Sequence, residues 1–377
     1  MSCPPSVPIR LLLADDSPLG RHIVVEALAG YPGIELVACV GDGPAALRAL
    51  DEHEVDLVVL DTEMPGMSGA ETLGAVRRRH PQVPVVMLAS LTRRGAAAAL
   101  EALAQGAEDY VAKPRSATSL DQATADIRRQ LLPKIAALLP GRYPCSSPAP
   151  RSDRSDRPGR WAGAGALEPD DGPAGGQDLP PELVVVVAGA GGPAALGALV
   201  GGLDPSLAAP VIVHTHLAPV LAEMLCAHLA RSSPLPVELA SDSAPLVAGG
   251  VWVAPGHRQL RVRREGTGTL ACALDHEGGA GSVTASCADA LLASASEAAP
   301  GATVAVVLTG QAPDGLAGAL AVRSSGGKVI VQDMASSALW GAAGLVASAG
   351  IAERVLPLGD LAPVLMRLGA PAVSLPG

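Results

Sequence analysis

The stretch LVVVVAGAGGPAAL, residues 183–196, decides how the second half of the chain reads. Its unbroken apolar run, mostly Val, fits a strand buried on both faces, as in a parallel sheet. Gly189, Gly191 and Gly192 form a tight turn, and Pro193 with the Ala/Leu run opens a helix. In α/β proteins a turn of this kind holds a phosphate or carries a nucleophile. This one contains no Ser, Cys, Thr or Lys. A dinucleotide-binding turn would also need an acid about 20 residues on, closing the next strand. That strand, PVIVHTH, ends in His216, so the dinucleotide reading is set aside.

The same strand–helix alternation continues through APVIVHTH, VWVAP, ATVAVVLTG and GKVIVQD, and it also fills the first third of the chain. There IRLLLAD, ELVACV, DLVVLD, VPVVMLA and DYVAKP read as strands, separated by segments such as GAETLGAVRRRH, whose basic end suits a helix C-terminus. Between the two halves, Pro, Gly, Ser and alternating charges leave no apolar period, which reads as a flexible linker. The expected fold class is α/β, with two doubly wound parallel-sheet domains, residues 7–139 and 182–370, joined by a flexible linker over 140–181.

A chain of 377 residues is long enough for two such cores. With no Phe and 2% aromatics, these cores must be built from Val, Leu, Ala and Ile. The formal charge of −10 argues against a nucleic-acid partner. Six cysteines (3, 39, 145, 226, 272 and 287) lack any paired spacing and read as free buried thiols of a reducing compartment. The N-terminus has no secretion-signal layout. Residues 334–352 are uncharged but rich in Ala, Gly and Ser, which suits a buried helix better than a bilayer span. A cytoplasmic protein without membrane insertion is expected.

In the first domain, Asp15 and Asp16 close strand one, Asp61 closes strand three and Lys113 follows strand five. Open α/β sheets place their chemistry at this edge. Three carboxylates there make a hard oxygen site suited to Mg²⁺. One of them can attack a phosphoryl donor, and the lysine can then pair with the phosphate. In the second domain, His214 and His216 lie two apart on a strand and so share a face, while Asp314 sits in the Gly-rich loop of VVLTGQAPDG. A His and an Asp at separate strand ends look like the base and orienter of a nucleophilic triad. A metal site built on the two histidines lacks a visible third ligand in the sequence.

The first domain resembles the response-regulator receiver, a flavodoxin-like (βα)5 fold. The resemblance implies that Asp61 is the phospho-acceptor, that Asp15 and Asp16 hold Mg²⁺ with it and with the backbone carbonyl of Glu63, and that Lys113 is the phosphate partner. Tyr110 falls at the family's rotating aromatic. The Ser/Thr switch position falls on Ala89, with Ser90 next to it.

Both domains, in this order, resemble the two-domain chemotaxis protein-glutamate methylesterases. VAGAGGP, THLAP, LTGQAPDG, GGVWVAPGHRQLRV, GGKVIVQDMASSALWG and ERVLPL all follow the family's order. The resemblance implies a receiver regulating an α/β methylesterase domain that needs no cofactor of its own. It also implies a chemotaxis histidine kinase as phosphodonor, and methyl-accepting chemotaxis receptors whose glutamyl esters are demethylated and whose glutamines are deamidated. His216 would be the general base and Asp314 its orienter. The family serine falls on Gly189, its following threonine on Ala190, and the methionine of the aspartate loop on Gln311. Removing such a nucleophile costs roughly 10⁶-fold in a serine-protease example. Cys287 could replace the nucleophile only if it sat beside His216, and otherwise reads as a small buried thiol. The chain therefore reads either as an impaired esterase or as a degenerate, receiver-controlled binding protein or phosphate sink.

Overall fold

The computed structural model describes residues 8–31, 33–114, 119–139, 180–256, 258–275, 287–311 and 314–369. The linker expected over 140–181 lies, apart from its last two residues, outside the described residues, as do Cys3 and Cys145.

The first domain is a five-stranded parallel sheet in the order β2-β1-β3-β4-β5. Its strands are β1 (Ile9–Ala14), β2 (Ile34–Val40), β3 (Leu57–Asp61), β4 (Val85–Ala89) and β5 (Asp109–Ala112). Helices α1 (Pro18–Leu28), α2 (Gly43–Glu52), α3 (Gly69–Arg79), α4 (Arg93–Ala104) and α5 (Leu120–Leu138) connect and follow them. Strands β3 and β4 are buried along their whole length, as their continuous apolar runs require. Each helix starts on a side-chain cap from Ser17, Asp42, Ser68, Thr92 or Ser119, which accepts from an amide the helix cannot satisfy. Ser68 and Glu71 complete a capping box.

The second domain holds a seven-stranded parallel sheet in the order β14-β13-β12-β6-β7-β9-β8. The strands are β6 (Leu183–Ala188), β7 (Val211–Thr215), β8 (Val237–Leu239), β9 (Val251–Val253), β12 (Thr303–Val307), β13 (Lys328–Gln332) and β14 (Arg354–Leu356). An antiparallel hairpin, β10 (Leu260–Arg264) with β11 (Leu270–Leu274), stands apart from it. The helices are α6 (Gly192–Gly201), α7 (Pro219–Ser232), α8 (Cys287–Ala298), α9 (Leu316–Ser324), α10 (Ala342–Ser348) and α11 (Leu358–Leu368). The sequence pattern marks the five inner strands. It misses β8 and β14, three-residue edge strands without an apolar run, and also the hairpin. The uncharged 334–352 segment contains only the short α10, whose Ala342, Ala343, Gly344 and Val346 are buried. No helix among the described residues is long and apolar enough to cross a membrane.

One apolar cluster runs across both domains. Ala96, Ala99, Leu100 and Leu103 of α4 belong to the same core as Leu196 and Leu199 of α6 and Leu225 of α7, and α4 packs against both of those helices. The small residues of α4 allow this close approach. Of the cysteines, Cys272 is buried, Cys226 half-buried and Cys39 exposed, all as free thiols. The expectation of buried thiols therefore fails at Cys39, because β2 is an edge strand with only partial cover.

Candidate phospho-acceptor and active sites

The first site lies at the β1/β3 switch point of the five-stranded sheet, where the strand order reverses. Strand β3 delivers Asp61 and the end of β1 delivers Asp15, both essentially buried, while Asp16 is exposed. Lys113 Nζ donates to Asp61 Oδ2 at 2.6 Å and lies 2.9 Å from Asp15 Oδ2, without an aligned hydrogen bond to the latter. The Glu63 amide donates to Asp61 Oδ1 at 3.2 Å, and the Ser17 amide to Asp15 Oδ1 at 2.8 Å.

Burial pushes the Asp61 carboxyl up to about 6, against the opposing pull of Lys113. Burial works to lower Lys113, but its pairing with Asp15 and Asp61 outweighs this and leaves the ammonium raised. Three carboxylates facing one ammonium leave an excess of negative charge. Donor oxygens of Asp15, Asp16 and Asp61 lie within 4.8 Å of one another. The buried Asp15 oxygen without an aligned donor and this uncompensated charge fit a hard divalent cation such as Mg²⁺.

Ala89 closes β4 fully buried, and its carbonyl accepts from the Lys113 amide at 2.8 Å. The adjacent Ser90 hydroxyl bonds the Glu63 carboxylate at 3.3 Å and the Thr92 hydroxyl at 3.1 Å. It is thus engaged at the start of α4 rather than on Asp61.

The second site straddles the β6/β12 switch point of the larger sheet. Strand β6 ends in the 189–192 turn, where Gly191 adopts φ +73°, the left-handed region that glycine enters without strain. The Gly189 amide donates to the Thr309 carbonyl at 2.8 Å, and the Thr309 hydroxyl donates to the Ala190 carbonyl at 2.8 Å. These bonds draw the turn against the loop after β12. A Cβ at Gly189 would stand 2.9 Å from Gly310 Cα and 3.3 Å from the Gln311 nitrogen, so the site has closed over the hydrogen at that position.

Strand register pairs Ala188 with Thr215, which brings Gly189 level with His216. His216 Nε2 lies 2.8 Å from Asp314 Oδ2, and its side chain is half exposed. Asp314 is held by the amides of Ala288 and Asp289 at 3.3 and 3.4 Å, the free N–H groups that open α8. Burial pushes Asp314 upward, but its hydrogen bond to His216, with the nearby charge and the Ala288 amide, brings its pKa below the ordinary value.

His214 is 7% exposed, and its ring meets that of His216 edge-on at 5.2 Å and 87°. Its Nε2 is buried without a hydrogen-bond partner. Burial, assisted by His216, lowers its pKa to about 4, so the ring is neutral at physiological pH. Among the described residues, Asp314 is the one charged group paired with the His216 ring, its Oδ2 lying 2.8 Å from Nε2. Cys287 opens α8, and its side chain lies outside the described residues. The structure therefore brings His216 and Asp314 together. Asp314 also stands beside His214, a proximity that residues about 100 apart in sequence could not reveal.

Sequence reasoning also missed a link between the two sites. The Gly191 amide donates to the Glu108 backbone carbonyl at 2.7 Å, and the Ala218 amide donates to the Tyr110 phenol oxygen at 3.0 Å. Helices α6 and α7 have no side-chain cap of their own, so the receiver sheet edge caps both. The Glu108 contact runs through its backbone carbonyl, which no side-chain motif can announce.

A cluster of carboxylates and a lysine at the switch point of one α/β sheet is thus docked, through α4 and β5, onto a second α/β sheet. Residues 11–125 match the response regulator receiver domain, and residues 184–365 match the CheB methylesterase. A protein from a Nocardioides species named protein-glutamate methylesterase/protein-glutamine glutaminase is 38% identical over 361 residues, covering 95% of each chain. Its namesake in Trichodesmium erythraeum is 34% identical, covering 95% of this chain and 98% of its own. The crystal structure of the Thermotoga maritima CheB methylesterase catalytic domain aligns at 30% identity with a TM-score of 0.47, covering 50% of this chain and all of that one. The chain belongs to the CheB family of chemotaxis response regulators, with a receiver domain followed by a methylesterase domain.

Proposed function

We propose that this chain is a phosphorylation-controlled regulator that takes a phosphoryl group on Asp61 from a histidine kinase and acts, through its second domain, on glutamyl side chains of methyl-accepting receptors. Asp15, Asp16 and Asp61, with the Glu63 carbonyl, would hold Mg²⁺, which offsets charge as the carboxylate attacks. Lys113 then moves its pairing from the carboxylate to the new phosphate. The docked receiver borders the approach to His216 without closing it, since Tyr110 and Glu108 hold the starts of α7 and α6 while the His216 side chain stays half exposed. Phosphorylation loosens that docking.

The observation that carries the chemical half of this reading is the closure of the turn at Gly189 beside an intact His216–Asp314 pair. In a member with a serine here, the imidazole would take the hydroxyl proton as oxygen attacked the ester carbonyl, and methanol would leave. In this chain the base has no side-chain hydroxyl to activate at position 189. Acyl transfer through that position is closed, and what the geometry supports best is recognition of the glutamyl side chain with severely reduced hydrolysis. Methanol release from methylated receptor, with and without phosphodonor, tests it. Wild-type turnover well above a His216→Ala control would overturn the reduced-hydrolysis reading.

A second reading, a phosphate sink in the same pathway, is favoured by Ala89. This residue offers no hydroxyl to the incoming phosphate, while Ser90 is engaged with Glu63 and Thr92.

A further inference from the structure

The histidine spacing on β7 has a counterpart that only the fold supplies. Side chains at 214 and 216 project from the same face, and the loop after β12 brings Asp314 to them. One candidate donor atom from each of His214, His216 and Asp314 lies within 4.8 Å of the others. Two imidazoles and a carboxylate are a donor set of catalytic Zn²⁺ sites, which leave a further position for water or a substrate oxygen. Ligand atoms around a tetrahedral Zn²⁺ sit about 3.3 Å apart for bonds of about 2.0 Å, so modest side-chain rotations would close the cluster.

His214 is the second, independent observation. A ring lying on His216 needs no nitrogen to fill its space, and a family triad uses one histidine. Yet His214 is 7% exposed, and its Nε2 has no partner. Leaving a buried polar atom unsatisfied costs about 1–3 kcal/mol. A metal bound through Nε2 would satisfy that nitrogen. Asp314 is already oriented by two amides of α8, as ligating carboxylates are by their outer partners.

We propose that His214, His216 and Asp314 form a binding site for a divalent transition-metal ion of the Zn²⁺ class, at the position where the serine route has been lost. An ion bound through His216 Nε2 would replace the close contact of that nitrogen with Asp314 Oδ2. With metal present, His216 is a ligand and no longer a base. The site is reached from the half-exposed side of His216.

The test uses the full chain in excess Mg²⁺, so that the Asp15/Asp16/Asp61 site is saturated, with Zn²⁺ followed by calorimetry and Co²⁺ by visible absorption. The expected result is one Zn²⁺ per chain, with Co²⁺ giving the intense bands of a low-coordinate site. His214→Val places in β7 a residue type its neighbours Val211 and Val213 already use. It should weaken binding by more than the ~10–100-fold that follows loss of an outer partner. His216→Ala, at a half-exposed position, should do the same, and it covers the case in which His214→Val fails to fold. Absence of stoichiometric Zn²⁺ binding in the wild type, or unchanged affinity in both variants, would overturn the proposal. These readouts involve neither phosphorylation nor methanol release, so they stand or fall separately from the function proposed above.

Discussion

The phenol oxygen of Tyr110 accepts a hydrogen bond at 3.0 Å from the amide of Ala218, two residues beyond His216. A residue on the last strand of the receiver thus finishes a helix of the second domain beside its imidazole. Burial raises the phenol's pKa, which keeps the group protonated at physiological pH. Tyr110→Phe removes the acceptor and leaves the α7 amide bare, at a cost of about 1 kcal/mol to docking. Hydrogen exchange at the Ala218 amide should accelerate in this variant, with exchange inside α1 unchanged. Equal protection at Ala218 in the two proteins would contradict the capping role.

Asp61 makes a prediction about pH as well as phosphorylation. Its folded carboxyl titrates near 6 against an ordinary 3.8, so the folded state holds the proton more tightly than the unfolded state between those values. Stability therefore falls as pH rises through this window, by about 3 kcal/mol for a shift of about two units. Asp61→Asn should raise the melting temperature of Mg²⁺-free protein at pH 7.5, and the gap should narrow near pH 4. The same variant should form no acyl phosphate with a small phosphodonor in Mg²⁺. Persistent phosphorylation would place the acceptor elsewhere.

Gly189→Ser is an unequal exchange, because the turn has tightened around the glycine. The new Cβ meets Gly310 backbone at 2.9 Å, so the 309–311 segment must give way. A cost of about 1–3 kcal/mol is expected from such overpacking. Any methanol release gained by this variant should be weak, and abolished by His216→Ala. Undiminished stability, measured by urea unfolding, would show that the loop yields freely.

His214 gives an acid-sensitivity of opposite sign to that of Asp61. With a folded pKa near 4 against 6.5, the unfolded state binds the proton first as pH falls. Stability should drop between pH 6.5 and 4, on the order of 3 kcal/mol in chelator-treated protein. His214→Val should flatten this part of the profile. A wild-type curve that His214→Val leaves unchanged in shape would refute the buried neutral ring.

Both sheets were legible because parallel strands buried on two faces write continuous apolar runs, as in LVVVV and DLVVLD. Asp15, Asp61 and Lys113 were legible for a related reason: each closes or follows such a run, and the switch point gathers strand ends. The third partner of the two histidines was not, since Asp314 reaches them only through the order β12-β6-β7. Nor was the short edge strand β14, whose Arg354 and Val355 are exposed and carry no periodic signal. Register on one strand can be read locally. Adjacency between strands distant in sequence is a property of the assembled sheet.

The missing caps on α6 and α7 give detachment a cost that falls on the effector itself. If phosphorylation frees the receiver as proposed, the amides of Gly191 and Ala218 lose their acceptors and must find water. Release would therefore also soften the starts of α6 and α7, and the released form should be the more pliable one there.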